Sequence, residues 1–206
     1  MAGRKEISRR PVKGLKRRSA VYIVCEGEET EVNYFKRFRR RHSIVDVIPL
    51  VSKYKAADSL VKKALTVIRR SEYDPREGDS VWCVFDRDDN TDAMLSSAER
   101  TAEAENLRLA FSNPSFEFWF ILHFFDHTGP IRDPREAVRI LRSRGGIEKY
   151  EKNGDYFDKL LPLQSTAVER ARKILKQAEK DGRKVLSRAS NPVTTVSELV
   201  TFLNEH

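Results

Sequence analysis

The stretch VYIVCEG at residues 21–27 decides the fold class, because five apolar residues in a row end abruptly in Glu-Gly. Such a short apolar run, rich in β-branched residues, predicts a strand that is buried on both faces. A second run of the same kind, VWCVFDRD at residues 81–88, ends in Asp-Arg-Asp. Two buried strands that each finish in carboxylates predict a sheet with acidic groups along one edge.

Strand-like and helix-like segments alternate around these two runs. Apolar residues recur at helical spacing in some segments and follow one another without interruption in others. The predicted order is strand 20–25, helix 29–41, strand 44–51, helix 57–70, strand 80–85, helix 91–105 and strand 107–111. This order predicts a four-stranded parallel sheet with right-handed crossovers and helices on both faces.

Beyond Pro114 the strand signal fades, and helices are predicted instead. The expected helices cover 115–125, 133–144, 166–181 and 195–203, whereas residues 147–164 are polar and are predicted to be irregular. We therefore expect an α/β fold with a core of about residues 20–125 and a helical C-terminal part of about residues 126–206. A basic, disordered arm of residues 1–18 is expected to precede it.

The overall composition indicates an apolar core and no membrane span. Hydrophobic residues make up 39% of the chain and charged residues 34%. No stretch reaches the roughly 18 consecutive apolar residues of a spanning helix, and no segment near the N-terminus resembles a signal peptide. Cys25 and Cys83 lie within apolar runs and are too few for a zinc cluster, so we interpret them as small buried residues. A reduced, cytoplasmic location with no membrane partner is expected.

Most of the net charge of +8 is concentrated near the N-terminus. Residues 1–20 contain eight Lys or Arg residues and one Glu, and a second basic run, KRFRRR, covers residues 36–41. Such clusters can neutralise phosphates in a salt-sensitive and sequence-independent way. The candidate nucleic-acid-binding residues are Arg9, Arg10, Lys16, Arg17, Arg18, Arg39 and Arg40. A solubilising tail is the alternative interpretation of the arm.

Three carboxylates stand directly after predicted buried strands. Glu26 follows the first strand, and Asp86 and Asp88 follow the third. Because the carboxyl ends of parallel strands meet at one edge of a sheet, we expect these groups to converge so that one ion can bridge them. Like charges at close range disfavour ionisation unless a cation compensates them. Oxygen ligands without a nearby His or Cys suit Mg²⁺ or Mn²⁺ better than Zn²⁺.

An Asp after a strand can also have a purely structural role or belong to a different kind of site. Asp89 precedes the predicted helix 91–105, and we interpret it as a helix cap or turn residue. An isolated Asp-x-Asp also occurs in haloacid-dehalogenase-like phosphatases and in nucleotidyltransferases. In the phosphatases it follows the first strand of the core, whereas here it follows the third. The Glu-Gly after the first strand separates these interpretations.

A hydrophobic strand ending in Glu-Gly, followed later by one ending in Asp-x-Asp, resembles the Toprim pattern of topoisomerases, primases and overcoming-lysogenization-defect nucleases. Four stretches are similar, more specifically, to the RloB-like family. They are EGEETEVNYF at 26–35, VFDRD at 84–88, SNPSFEFWFILHF at 112–124 and NPVTTV at 191–196. The resemblance extends from about Ser19 onward and leaves the basic arm outside.

The resemblance implies a Toprim-like, Rossmann-type core and a divalent-metal-dependent nuclease. It also implies a role in bacterial anti-phage defence, of the restriction or abortive-infection kind, with an ATPase as partner. Neither the companion domain of a topoisomerase nor the zinc ribbon of a primase is readable in the sequence, so those activities are not expected. The alternative is a non-catalytic nucleic-acid-binding or regulatory subunit whose Toprim-like site has decayed.

Roles for individual residues follow from the same resemblance. Asp86 and Asp88 are expected to bind Mg²⁺ or Mn²⁺, with Glu26 as a further ligand or a proton-transfer group. Glu31 is comparable to a Glu that helps to hold a second metal in the overcoming-lysogenization-defect nucleases, and a favourable first-turn helix charge is the equal alternative. Glu117 matches a Ser-x-Glu element of those nucleases and is a candidate catalytic residue, although a helix start also suits its charge.

Two matters stay open in the sequence. The resemblance implies a Lys that stabilises charge in the transition state, and Lys149 and Lys152 are both candidates. The substrate can be DNA or RNA, including tRNA, because no recognition module is readable. His123, in contrast, lies deep in an aromatic run, and we interpret it as a hydrogen-bonded core residue.

Overall fold

The architecture is a five-stranded, mostly parallel sheet flanked by helices. The structure, a computed structural model, describes residues 19–38, 43–49 and 56–205. The sheet order is β2-β1-β3-β4-β5, with β1 Ser19–Cys25, β2 Ser43–Pro49, β3 Ser80–Asp86, β4 Arg108–Asn113 and β5 Val193–Thr194. The first four strands are parallel, and β5 runs antiparallel to β4. The predicted α/β class is confirmed.

The predicted count of four strands is wrong, because β5 forms a fifth. Its two residues pair with Ser112 and Asn113 at the end of β4. Thr195 continues the contact, since Phe111 N donates to Thr195 Oγ over 2.8 Å and Thr195 N donates to Phe111 O over 2.9 Å. Two residues are too few to show the alternation that identifies a strand. The sequence therefore does not reveal that the C-terminal part completes the sheet.

Eight α-helices lie within the described residues. They are α1 Thr30–Lys36, α2 Ala57–Arg70, α3 Asp92–Ala104, α4 Glu117–Phe124, α5 Pro134–Leu141, α6 Phe157–Leu160, α7 Gln164–Lys180 and α8 Val196–Glu205. α1 ends well before the end of the predicted helix 29–41. The segment 147–164 is not irregular throughout, because it contains α6. Phe157 and Leu160 are buried, but one turn of helix is too short to show helical periodicity.

The central strands β1 and β3 carry the middle of the core. Val21, Ile23 and Val24 are at most 1% exposed, and β3 is buried throughout except at Asp86. A parallel sheet covered by helices has no solvated face, so its strands are continuous apolar runs. This explains why both strands could be predicted from composition alone.

The carboxyl ends of the parallel strands share one edge of the sheet. Cys25, the last residue of β1, pairs with Pro49 of β2 and with Val84 of β3. Asp86, the last residue of β3, pairs with Ser112 of β4. Residues at the carboxyl ends of β1 and β3 therefore lie next to one another at this edge of the sheet.

The amino ends of the strands form the opposite edge. Ser19 of β1 pairs with Ser43 of β2. The buried Asp79 fastens this edge, because its Oδ1 accepts from Ala20 N over 2.7 Å and its Oδ2 from Asp74 N over 2.9 Å. The loop before β3 is thereby tied to the start of β1.

Aromatic packing joins α1 to the C-terminal part. The ring of Tyr34 lies 5.2–5.9 Å from each of its aromatic neighbours, which are Phe35, Phe38, Phe116, Phe120 and Phe157. Gln164 Nε2 donates to the Tyr34 hydroxyl over 3.1 Å, and Asn204 Nδ2 donates to Gln164 Oε1 over 2.6 Å. The C-terminal helices α7 and α8 are thus tied to the first helix.

Cys25 and Cys83 are both buried and free, as the interpretation of small core residues predicts. Burial raises the pKa of the Cys83 thiol to about 12 and that of Cys25 well above its usual value. Across residues 19–38, 43–49 and 56–205, no helix has both the length and the apolarity needed to cross a bilayer.

Candidate metal centre

Glu26 and Asp86 meet at the carboxyl edge of the sheet. Glu26 N donates to Val84 O over 2.9 Å, which continues the β1–β3 pairing one residue further. The Glu26 side chain turns towards β3, and its Oε2 accepts from Asp86 N over 3.0 Å. Glu26 is buried, so the strands and not a mobile loop fix the position of its carboxylate.

A cleft of about 270 Å³ opens at this edge. Its lining residues are Glu26, Gly27, Glu28, Glu29, Thr30, Glu31, Asp86, Asp88, Phe116, Glu117 and Lys152. All five carboxylates that the sequence suggests for the site are in this lining: Glu26, Glu31, Asp86, Asp88 and Glu117. Seven carboxylates face one lysine, and neither His nor Cys is among the lining residues.

The loop after β3 is held from three sides by Asn90, a residue that the sequence analysis does not single out. Asn90 Nδ2 donates to Asp86 O over 3.0 Å, and Asn90 Oδ1 accepts from Ala57 N over 2.9 Å. Arg188 donates to Asn90 O over 3.1 Å. Within this loop Asp88 adopts a φ of +26°, a conformation that is uncommon outside glycine but better tolerated by Asp.

Of the two roles predicted for Asp89, helix cap or turn residue, the structure shows the turn and not the cap. Thr91 is the N-cap of α3, and its hydroxyl accepts from Met94 N over 3.2 Å. Asp89 is exposed and does not line the cleft. Asp and Thr are both suited to a helix N-cap, so the sequence alone does not distinguish Asp89 from Thr91.

Glu31 occupies the space beside Gly27. A Cβ atom at Gly27 would collide with the carboxylate of Glu31. Gly27 thus leaves the space in which the carboxylate of the buried Glu31 lies, in the first turn of α1. This packing gives the Glu-Gly pair a physical reason, because the two residues place two different carboxylates.

Glu117 is held at the cleft wall by two hydroxyl groups. Ser115 Oγ donates to Glu117 Oε2 over 2.6 Å, and the Tyr150 hydroxyl donates to Glu117 Oε1 over 2.9 Å. Tyr150 is missed by the sequence analysis, since its partner lies 33 residues away and the polar segment around it shows no pattern. The same segment brings Lys152, and not Lys149, into the cleft lining.

The carboxylates of the cleft repel one another. The pKa of Asp86 is raised well above its usual value, first by burial and then by the negative charges of Glu31, Glu117, Glu26 and Asp88. No cation among the described residues offsets this repulsion at Asp86. A divalent cation bound in the cleft would offset this repulsion.

Asp88 lies nearer to the solvent and to positive charge. Burial and then Asp89 raise its pKa, whereas Lys152 and Arg87 act in the opposite direction. Lys152 is therefore electrostatically coupled to the cleft, as a transition-state lysine would have to be.

The donor set fits Mg²⁺ or Mn²⁺ in chemistry, but the carboxylates are not arranged as a closed ligand shell. Among the described residues, no three His, Cys, Asp or Glu side chains could hold an ion as they stand. Two of the carboxylates are turned to other partners, Glu26 to the backbone of Asp86 and Glu117 to Ser115 and Tyr150. An ion would require side-chain rotation or bridging waters, which Mg²⁺ commonly retains.

His123 is a core residue, as predicted. It is 2% exposed, and its Nδ1 lies 2.9 Å from Trp119 O. Burial lowers the pKa of His123 to about 4, so the ring is neutral at pH 7. It is not among the residues that line the cleft.

The proposed nucleic-acid-binding residues lie outside the described residues. They are Arg9, Arg10, Lys16, Arg17, Arg18, Arg39 and Arg40. The segments that contain them join the described fold at Ser19, and between Phe38 and Ser43. Ser19 and Ser43 belong to the edge of the sheet opposite the cleft.

Comparison with known proteins gives one match. Residues 21–203 match the family described as "RloB-like protein". No curated protein and no solved structure matches the chain.

Proposed function

The chain belongs to the RloB-like protein family, and on that premise we propose that it is a divalent-metal-dependent nuclease with a Toprim-like core. The observation that carries the proposal is the cleft at the carboxyl edge of the sheet. Glu26 and Asp86, from neighbouring strand ends, are joined there by a hydrogen bond, and five further carboxylates and Lys152 surround them. Such an oxygen-rich, negatively charged cleft suits a hard divalent cation.

Asp86, Asp88 and Glu26 would hold Mg²⁺ or Mn²⁺, with Glu31 available for a second ion. When bound, the metal would polarise a phosphodiester and activate water for hydrolysis. Asp86 and Asp88 are placed by a loop that Asn90 fixes, so both carboxylates are supported by the fold. Neutralisation of Asp86 by a cation would also relieve the repulsion that raises its pKa.

Two other residues would act directly on the substrate. Lys152 lines the cleft and is exposed, so it can contact a phosphate oxygen without a large desolvation cost. Glu117 has both oxygens engaged by hydroxyl donors, but each carboxylate oxygen can accept a second hydrogen bond. It can therefore orient a water molecule or accept a proton at the cleft wall.

We propose further that the nuclease serves bacterial anti-phage defence together with an ATPase partner. Family membership is the support for this part of the proposal. The substrate is a nucleic acid, either DNA or RNA, because a phosphodiester is the group that the cleft chemistry fits.

A non-catalytic nucleic-acid-binding or regulatory subunit is the second candidate. The observation in its favour is that no three potential metal ligands within the described residues are already arranged around one point. In this alternative the carboxylates would not bind metal at micromolar to millimolar concentrations. The two candidates therefore differ in an observable way.

The decisive experiment incubates the purified chain with plasmid DNA, single-stranded DNA and tRNA. Each substrate is tested with Mg²⁺, with Mn²⁺ and with EDTA. We expect metal-dependent cleavage of at least one substrate, reduced by orders of magnitude in Asp86→Asn. Asp89→Asn is the matched control, because Asp89 lies in the same loop but outside the cleft lining. Equal cleavage by the wild type and Asp86→Asn would refute the nuclease proposal.

A further inference from the structure

Residues 150–158 pack against α1 through a series of polar contacts. Thr30 Oγ donates to Lys152 O over 3.0 Å, and Asn33 Nδ2 donates to Asn153 O over 3.0 Å. Arg37 contacts Asp155 over 2.9 Å and Asp158 over 2.7 Å. The 150–158 segment is thereby fixed to the helix that also carries Glu31.

Tyr150 connects this segment to Glu117. It is 1% exposed, and its hydroxyl donates to Glu117 Oε1 over 2.9 Å. The same hydroxyl lies 3.3 Å from Thr30 Oγ. A phenol has one hydrogen to donate. Tyr150 donates this hydrogen to Glu117, and Thr30 donates its own hydrogen to Lys152 O. The hydrogen bond of the Tyr150 hydroxyl to Glu117 is therefore not shared with Thr30.

We propose that Tyr150 is a positioning residue of the metal centre, which holds Glu117 at the cleft wall while its own segment presents Lys152 on the other side. The inference rests on the proposed function, because it concerns the arrangement of the same cleft. One structural element then sets the distance between the carboxylate and the lysine. Tyr150 itself does not have to contact the substrate for this purpose.

The physical reason lies in the freedom of a glutamate side chain. Without hydroxyl partners Glu117 would be a buried carboxylate with unsatisfied oxygens, which is costly, and it would turn towards any other donor. Hydrogen bonds to a carboxylate are among the stronger ones in proteins. Ser115 and Tyr150 each occupy one oxygen and leave further lone pairs for the cleft.

The test measures the Mn²⁺ affinity of Tyr150→Phe and of the matched control Tyr156→Phe. Both variants lose one phenol hydroxyl in the same segment. Within the described part of the chain, the Tyr156 hydroxyl bonds to backbone atoms of Glu151 and Lys149 and not to a cleft carboxylate. Glu117, which can orient a water molecule in the cleft, would act on the ion through that water, and loss of an outer partner of a metal centre typically reduces metal affinity or activity 10- to 100-fold. We expect Mn²⁺ affinity to fall by about 10-fold or more in Tyr150→Phe and by less than about twofold in Tyr156→Phe.

A double-mutant cycle with Glu117→Gln separates positioning from a general structural effect. If Tyr150 acts through Glu117, Tyr150→Phe should lower Mn²⁺ affinity in the wild type but not further in the Glu117→Gln background. Ser115→Ala removes the donor on the other oxygen and should behave in the same way. It serves as the second variant if Tyr150→Phe does not fold, as judged by its urea midpoint without metal.

The outcomes distinguish this inference from the proposed function. Equal Mn²⁺ affinities of Tyr150→Phe and Tyr156→Phe, or additive effects of Tyr150→Phe and Glu117→Gln, would overturn the positioning role. The metal centre itself would stand as long as Asp86→Asn abolishes binding. If the wild type binds no Mn²⁺, both the metal centre and the positioning role are overturned.

Discussion

At the scale of single residues, Asp86 links stability to metal binding. Its folded pKa is raised, so the folded chain holds this proton more tightly than the unfolded chain does. Without metal, stability should therefore fall as the pH rises through that raised pKa. Asp86→Asn removes the repelled charge and should raise the Tm measured in EDTA. A stabilising substitution at a ligand position is expected where function maintains electrostatic strain.

Asp86→Asn should raise the Tm in EDTA but should reduce the stabilisation that Mg²⁺ provides. Mg²⁺ at 100 times its Kd should stabilise the wild type by about 2.7 kcal/mol, and Asp86→Asn should lose most of this gain. Thermal melts with and without Mg²⁺ measure both effects, and Asp89→Asn should behave like the wild type. If Asp86→Asn melts below the wild type in EDTA, the repulsion argument fails.

His123 gives a second pH-dependent contribution, with its own sign. Its pKa is about 4 in the folded chain, below the ordinary value of 6.5, because the ring is buried. The neutral ring therefore favours folding above pH 6.5, and this stability is lost as the pH falls towards 4. Between pH 7.5 and 4.5 the loss should be about 2–3 kcal/mol.

His123→Phe is the variant that isolates this contribution. Phenylalanine suits the aromatic surroundings of Trp119 and Phe120 and cannot titrate. The free energy of unfolding, measured by urea at several pH values, should depend less on pH in the variant. Identical pH profiles for both proteins would show that His123 does not titrate across the unfolding transition.

At the scale of the elements, Asp79 ties the loop before β3 to the start of β1. Asp79→Ala leaves the buried Ala20 N and the part-buried Asp74 N without their acceptor, at a cost of about 2–4 kcal/mol for the two donors. Asp79→Asn keeps one acceptor oxygen and should cost less. Urea midpoints of the two variants provide the measurement. We expect the lowest urea midpoint for Asp79→Ala, a higher one for Asp79→Asn and the highest for the wild type. Equal midpoints would contradict this expectation.

Elements differ in how well their sequence predicts them. β1 and β3 are buried at most of their positions, so unbroken apolar runs identify them, and the carboxylates at their ends fall where parallel strands place them. β5 and α6 depend instead on distant partners, Ser112 in one case and the aromatic rings around Tyr34 in the other. A two-residue strand and a single helical turn carry no periodic signal of their own.

The candidate site shows the same division. Residues at the carboxyl end of a buried strand, such as Glu26 after β1 and Asp86 at the end of β3, can be predicted from the chain alone. Tyr150 and Asn90 cannot, because their importance lies in hydrogen bonds to residues 33 positions away in each case. Supporting residues of this kind become visible only when the fold brings the partners together.

At the scale of the whole molecule, most of the net positive charge lies in residues 1–18, whereas the residues that line the cleft come later in the chain. Deletion of residues 1–18 removes eight Lys or Arg residues and one Glu. We expect weaker nucleic-acid binding and a log–log salt slope that is smaller by several units, because each phosphate contact contributes about 0.9 to the slope. Mn²⁺ affinity should not change, since the deletion retains Glu26, Asp86 and Asp88, the residues proposed to hold the ion. An unchanged salt slope would show that the arm does not touch phosphate.

The pairing of Ser19 with Ser43 has a consequence for where a bound nucleic acid would be cut. From Ser19 to Cys25 the strand β1 covers about 20 Å, at about 3.3 Å per residue. A duplex that touches both edges of the sheet would therefore extend over about six base pairs between them, at about 3.4 Å each. Any contact that a substrate makes at Ser19 or Ser43 would thus lie one strand length from the carboxylates proposed to direct its cleavage.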